Sequence, residues 1–352
     1  MPPGHSNAQR PADYFEATFR KFQDVASSRP IVSRDILLGE RTVRLRVSAG
    51  AMAQAILPAF AHLVTEPVTE PDLTVCAWDS ESTGSAPVSP GWTIQDYRRE
   101  GFISGFNDDR FHTALQFDPL ILRMLDMERR HALYWTRSAA EMPHWEIGAP
   151  MRPLLHEWLQ RVGYVAVHGG AIGHPDGGLF LAGAGGRGKS NVALSCLRSG
   201  LRYASDDFCF LSAAPWVVHS LYSTGKLSGG DLARHPLLDG LASNPDRLDR
   251  EKAIFFLHDR FRERLVRSMP LRGVVLPWVV AHGPSAISRI SPEVAQRETA
   301  LSTIELSRWT GQHTLVKVQE MLRDLPCFEL QIGSSIDEIP PLLTRLLSDL
   351  RA

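Results

Sequence analysis

Leu179-Phe-Leu-Ala-Gly183-Ala-Gly-Gly-Arg-Gly-Lys189-Ser190 is the stretch that decides the fold. It matches GxxxxGK[ST], the phosphate-binding loop. The apolar run Leu179 to Ala182 predicts a strand, and Lys189 to Ser199 predicts a helix closed by Gly200. Between them the glycines let backbone N–H groups converge on phosphate oxygens without side-chain obstruction. The cradle would run through Gly183, Ala184, Gly185, Gly186, Arg187 and Gly188 into Lys189, Ser190 and Asn191. The start of the helix adds partial positive charge. Lys189 would reach the β- and γ-phosphates, and the Ser190 hydroxyl would bind Mg²⁺.

Two other readings compete. One is an ordinary tight turn between a strand and a helix. The other is a dinucleotide fingerprint, because Gly183, Gly185 and Gly188 also satisfy GxGxxG. Asp206 then falls 18 residues after Gly188, near where a ribose-binding acid is expected. Lys189-Ser190 directly after the third glycine is what a phosphate loop demands and a dinucleotide fingerprint does not.

Further along, Arg202-Tyr-Ala-Ser-Asp206-Asp207 reads as a strand closed by two acids. Its residues are more mixed than the apolar run that usually precedes a magnesium-binding acid. Successive positions of a strand point to opposite sides. One carboxylate can therefore serve a metal while the other faces an acceptor hydroxyl. A base beside a phosphorylatable hydroxyl is what a kinase needs and a simple ATPase does not. A solvated turn is the plain alternative for this pair.

The rest of the chain sets bounds. It has 352 residues, 43% of them apolar and 22% charged, and a net charge of −1. That composition excludes wholesale disorder, and the balanced charge argues against a dedicated nucleic-acid binder. The longest apolar stretch, Gly273 to Ala281, is too short to span a membrane, and the first ten residues do not read as a secretory signal. Cys76, Cys196, Cys209 and Cys327 are widely spaced with no CxxC pair, which fits reduced thiols in a cytoplasmic protein and gives no zinc site.

Residues 1–12 read as a loose tail, and 13–150 as an N-terminal α+β domain. Three prolines and a glycine between Ala139 and Pro153 mark a boundary, so 151–352 form an α/β nucleotide-binding domain. In the first part, Asp13 to Ala26 predicts a helix, Ile36 to Val47 a hairpin turning at Gly39-Glu40, and Phe117 to His131 a helix opening at Pro119. In the second, Tyr164 to Val167, Phe208 to Leu211, Trp216 to His219, Val274 to Val280 and Phe328 to Ile332 predict strands. Ser291 to Leu306, Gln312 to Leu325 and Ile339 to Leu350 predict helices. Arg260, Arg262, Arg264 and Arg267 lie within eight residues, and one of them could stabilise a transferred phosphoryl group, although a solvated basic face is the plainer reading. Lys226 and Lys252 read as surface charge.

The stretch from His168-Gly-Gly-Ala through the glycine loop to Gly200-Leu-Arg-Tyr-Ala-Ser-Asp206-Asp207 resembles the catalytic core of HPr kinase/phosphorylase. That family is related in its nucleotide site to ATP-dependent phosphoenolpyruvate carboxykinase. The offsets match: His168 lies 21 residues before Lys189, and Asp207 lies 17 after Ser190. The resemblance implies a P-loop kinase core that uses ATP and Mg²⁺. In it Asp207 would be the general base, Asp206 would assist the metal with Ser190, Lys189 would bind the transferred phosphate, and His168 would sit near the γ-phosphate. The family's Glu-x-Arg-Gly segment is missing; the region reads Tyr222-Ser-Thr-Gly-Lys226-Leu-Ser-Gly-Gly-Asp231, which leaves Asp231 as a replacement acid and puts a phosphorylase back-reaction in doubt. The N-terminal part does not resemble that of HPr kinases.

The whole is similar to HPr-kinase-related proteins of peptide-modification systems, among them lasso-peptide tailoring kinases that phosphorylate a serine of a precursor peptide. The implied acceptor is a serine or threonine of a peptide or small protein, with no nucleic-acid or membrane partner and with homo-oligomerisation left open. A nucleotide-binding regulator that keeps the fold without turnover is the alternative, motivated by the missing segment.

Overall fold

The computed structural model describes residues 10–98, 101–280, 282–304 and 311–351. The expected tail falls mostly outside them. The chain divides into two compact mixed α/β units. The first comprises residues up to Leu57 and Leu63–Trp158; the second comprises Pro58–His62 and Leu159 onward.

The first unit is built on one mixed seven-stranded sheet. Helix α1 (Pro11–Ser28) opens on a proline, which lacks only an amide that the first turn could not use. Its Tyr14, Phe15, Thr18, Phe22 and Val25 recur at helical spacing and are buried. They pack with Cys76, Trp78, Met124 and Leu133 of the sheet. The hairpin of β1 (Ile31–Leu38) and β2 (Arg41–Ser48) turns at Gly39-Glu40 as expected, with φ +61° at Gly39. In β2 the buried Val43, Leu45 and Val47 alternate with Arg44 and Arg46. Helix α2 (Ala51–Ile56) gives way to a 3-10 segment that contains Pro58. Strands β3 (Val64–Thr65), β4 (Leu73–Asp79), β5 (Phe111–Phe117), β6 (Leu120–Asp126) and β7 (His131–Thr136) complete the order β3-β1-β2-β4-β7-β6-β5.

The predicted helix over Phe117 to His131 is instead the turn after β5, strand β6 and the turn into β7. Its continuous apolar run, Leu120-Ile-Leu122 and Met124-Leu125, belongs to a strand flanked by partners on both edges and packed on both faces. Such a strand loses the alternation that would distinguish it from a helix.

The second unit follows α3 (Arg152–Arg161). Strands β8 (Val165–His168), β9 (Gly170–His174) and β10 (Gly177–Leu181) lead into the glycine loop and α4 (Lys189–Ser195), which a 3-10 turn extends to Arg198. Strands β11 (Arg202–Ser205), β12 (Phe208–Ser212) and β13 (Val217–Ser220) follow, then a separate ribbon of β14 (Thr224–Leu227) and β15 (Ala253–Phe256). The long β16 (Ser268–Val279), β17 (Ala286–Ile290), α5 (Pro292–Ile304), α6 (Gly311–Asp324), β18 (Cys327–Ile332) and α7 (Ile339–Asp349) end the chain. The expected continuation of α5 to Leu306 lies partly outside the described residues.

The main sheet has nine strands in the order β11-β9-β10-β16-β13-β12-β8, with β18 attached to β16 and β17 to β18. Neighbouring residues of β10 serve opposite cores. Leu179 and Leu181 pack with Val192 and Leu194 of α4 and Leu343 and Leu347 of α7, while Phe180 packs with Ala295, Met321 and Leu322 of α5 and α6. Helices therefore cover both faces, and the glycine loop emerges at the sheet's carboxyl edge.

All four cysteines are free and buried. Among the described residues no helix is long and apolar enough to cross a membrane. Three histidines of the second unit are held neutral. Burial pushes His62 down to about 3, with His258 and Arg267 adding to the effect, and pushes His219 and His235 down to about 4. Below the ordinary histidine value of about 6.5 the unfolded chain binds protons that the folded chain refuses. Stability should therefore fall as pH drops through that value, by up to about 1.4 kcal/mol per pH unit for each imidazole. Urea midpoints between neutral pH and about pH 5 check this, and a flat profile would show that these groups protonate in the folded state.

Candidate functional site

Two breaks in strand pairing create the site. Strand β8 pairs with β12, Phe208 opposite His168, while β9 pairs with β11, Ser205 opposite Ala171. The chain leaves one ladder for the next at Gly169 on one side and at Asp206-Asp207 on the other. The Gly169 N–H donates to the Asp207 carbonyl at 2.8 Å, and the Gly169 carbonyl accepts from Ser205 Oγ at 3.4 Å. A Cβ at residue 169 would lie 2.3 Å from the Phe180 ring and 2.9 Å from the Leu181 carbonyl oxygen, so only glycine fits. This approach sets His168 beside Asp207.

Asp207 is gripped from two directions. His168 Nε2 lies 2.9 Å from Oδ1, and the Lys226 ammonium donates to Oδ2 at 2.8 Å. Both partners rest on one ring: His168 stacks on Phe208 at 5.2 Å, and Lys226 Nζ lies 5.2 Å from the same centroid. Burial alone would raise the Asp207 carboxyl. The Lys226 charge and the His168 contact outweigh burial and hold it below the usual carboxylate range.

Asp206 faces the other way and is buried. It accepts from Tyr203 Oη at 3.1 Å on Oδ1 and from the Lys226 backbone N–H at 3.0 Å on Oδ2. The Ser190 hydroxyl bonds the same carboxylate. Burial, reinforced by the negative Asp207, holds Asp206 above the usual range. The two acids thus differ in proton affinity because one has an ammonium partner at its oxygens and the other has neutral donors.

The glycine loop takes left-handed or otherwise positive φ at Gly183 (+120°), Gly186 (+82°) and Gly188 (+100°). Lys189 is buried, and its ammonium donates back to the Gly183 carbonyl at 2.6 Å and the Ala184 carbonyl at 3.1 Å. Burial lowers its proton affinity; Asp207 and Asp206 restore part of it, and the charge of Lys252 opposes it. Gly185, Gly186 and Arg187 are exposed. Arg187 is tied to Glu298 of α5 by an ion pair. The Asn191 side chain turns to His235, with Oδ1 2.9 Å from Nε2.

The structure thus brings together Lys189, Ser190, Asp206, Asp207 and His168. Lys226 corrects the surface reading: it is buried and bonded to Asp207. A short strand reading Thr-Gly-Lys-Leu, buried at all four positions, was the available signal, but nothing in the sequence showed which acid it meets. Asp231 does not join the acids; it lies in the first turn of a short helix and accepts from Ser228 Oγ. Of the four arginines, Arg267 donates to the His62 carbonyl at 3.2 Å, and Arg260 and Arg262 are exposed. The acid expected to reach a ribose is bonded to Ser190, and β9 intervenes between β10 and β11. A dinucleotide fold would place those two strands side by side.

No protein-family model and no curated protein matches this chain. Among solved structures it is similar to the Hpr(Ser) kinase/phosphatase from Coxiella burnetii, at 11% identity and a TM-score of 0.29, over 53% of this chain and 95% of that one.

Gly169→Ala tests the strand crossing. Overpacking of this kind costs about 1–3 kcal/mol. The variant should lose that much in urea unfolding; unchanged stability would show that the crossing tolerates a side chain.

Proposed function

We propose that this protein is a Mg²⁺-dependent kinase that transfers the γ-phosphoryl group of ATP to a serine or threonine hydroxyl of a peptide or small protein. The observation that carries this is the Asp207 carboxylate, held between His168 and Lys226 beside a glycine loop whose lysine is already buried within it. A kinase needs a carboxylate placed to take the acceptor's proton.

The loop amides and Lys189 bind the β- and γ-phosphates. Lys189 exchanges two carbonyl partners for phosphate oxygens, so its charge is neutralised on binding. Magnesium takes oxygen ligands and is commonly held by one or two carboxylates with substrate phosphates. Ser190 and Asp206 fit that set: a hydroxyl already bonded to a buried carboxylate. Among the described residues no cluster of three or more His, Cys, Asp or Glu could hold a metal ion. When bound, the ion neutralises charge on the phosphates.

Lys226 has two duties. In the free protein it suppresses the basicity of Asp207. An entering phosphate anion competes for the same ammonium, and as Lys226 shifts toward it Asp207 regains the proton affinity of a base. His168 keeps the carboxylate oriented meanwhile. The base is thereby kept weak until a phosphate is present. The first unit would recognise the acceptor.

A regulator without turnover is the second reading. It is favoured by Asp231, which is bonded to Ser228 and does not join Asp206 as a second acid.

The test is γ-labelled ATP with Mg²⁺ and a panel of serine-bearing peptides. Label should appear on a peptide serine. Asp207→Asn should reduce transfer by at least about 10³-fold while leaving ATP affinity within about threefold. Lys189→Ala should weaken ATP binding and transfer together. Tight ATP binding with no transfer to any peptide would favour the regulator, and wild-type transfer by Asp207→Asn would remove Asp207 as the base.

A further inference from the structure

On the flank of the glycine loop opposite the acids, the sheet is notched. Strand β10 pairs with β16 as far as Leu181 opposite Val275, and then turns away into the loop. Strand β16 continues through Leu276, Pro277, Trp278 and Val279 beside β18. Pro277, which has no N–H to give, occupies the stretch where that ladder has ended. The result is a groove of about 310 Å³ between Trp278, Ile290 of β17 and Val294 of α5. Gly183 and Arg187 of the glycine loop form its near wall, and Glu329 and Arg297 supply polar groups. Trp278 and Val294 are each 36% exposed, high for apolar side chains beside a phosphate loop.

We infer that this groove takes the base of the nucleotide whose phosphates lie in the loop; the inference rests on the kinase reading above. The loop lies between Asp207 and the groove. A triphosphate whose terminal phosphate faces Asp207, His168 and Lys226 must direct its nucleoside away from them, and β9 and β11 occupy the acid flank. The groove shares Gly183 and Arg187 with the loop, so a ligand can run from one into the other without a gap. Its chemistry suits a heteroaromatic ring: an indole for stacking, aliphatic side chains from β17 and α5, and the Glu329 carboxylate as an acceptor for an exocyclic amine. The Arg187–Glu298 ion pair ties the loop to α5, so the groove's width and the loop's position are linked.

Calorimetric titration of the full chain with Mg·ATP and with tripolyphosphate, which has the phosphates but no base, tests this. The variants are Trp278→Ala and Val294→Arg; the second adds a long side chain at a partly exposed helical position and blocks the groove without touching the sheet. In at least one of them ATP should bind about tenfold or more weakly while tripolyphosphate affinity stays within about twofold. Trp278→Phe should restore most of the ATP affinity. Undiminished ATP binding in both variants, or equal loss of both ligands in both, would overturn the groove as the base site. Failure of the wild-type protein to bind either ligand would instead remove the phosphate-loop reading.

Discussion

The site depends on a close approach of backbone to backbone at Gly169. Two chain segments change ladder at the same level of the sheet, and the Gly169 N–H to Asp207 carbonyl bond of 2.8 Å fastens one crossing to the other. Nothing larger than a hydrogen atom fits at residue 169 between that bond and the Phe180 ring. From this contact the rest follows. His168 ends β8 opposite Phe208, and Asp207 immediately precedes Phe208, so the two meet where the ladder ends. Phe208, the next residue, becomes the floor on which both His168 and Lys226 lie.

The acid pair shows how adjacent residues of one type acquire different chemistry. Asp206 and Asp207 share a peptide bond but point to opposite sides. One meets Tyr203, Ser190 and a backbone amide; the other meets an ammonium and an imidazole. Like charges this close push their proton affinities apart, and the asymmetric partners decide which one goes up.

Much of the second unit was legible because its signals are local. The strand, glycine loop and helix around Lys189 follow from a dense motif, and strands β12 and β13 follow from apolar runs between turn residues. Less could be read where the determining contact is distant. Lys226 meets Asp207 across 19 residues, and no local pattern encodes that pairing. Strand β6 reads as a helix in the sequence because burial on both faces erases alternation. Strand β9, with two glycines and a histidine among five residues, has almost no strand signature and forms only because β10 and β11 flank it.

The segment Pro58–His62 belongs to the second unit although it lies far upstream. The Ala59 carbonyl accepts from the Ser223 N–H at 2.9 Å, Phe60 packs on Tyr222 at 5.3 Å, and His62 Nε2 lies 2.7 Å from Ser220 Oγ. That last pair is separated by 158 residues of chain. On a ribosome the early segment must wait, unpartnered, until the chain beyond residue 220 has emerged. Closing so long a loop carries an entropic cost that grows only slowly with length, but it places the step late in folding. Cutting the chain at the unit boundary would strip the second unit of this segment and leave the Ser223 N–H, the Ser220 hydroxyl and the Tyr222 ring without their native partners. The second unit is therefore not an autonomous tail of the sequence: its last pieces are set by residues made first.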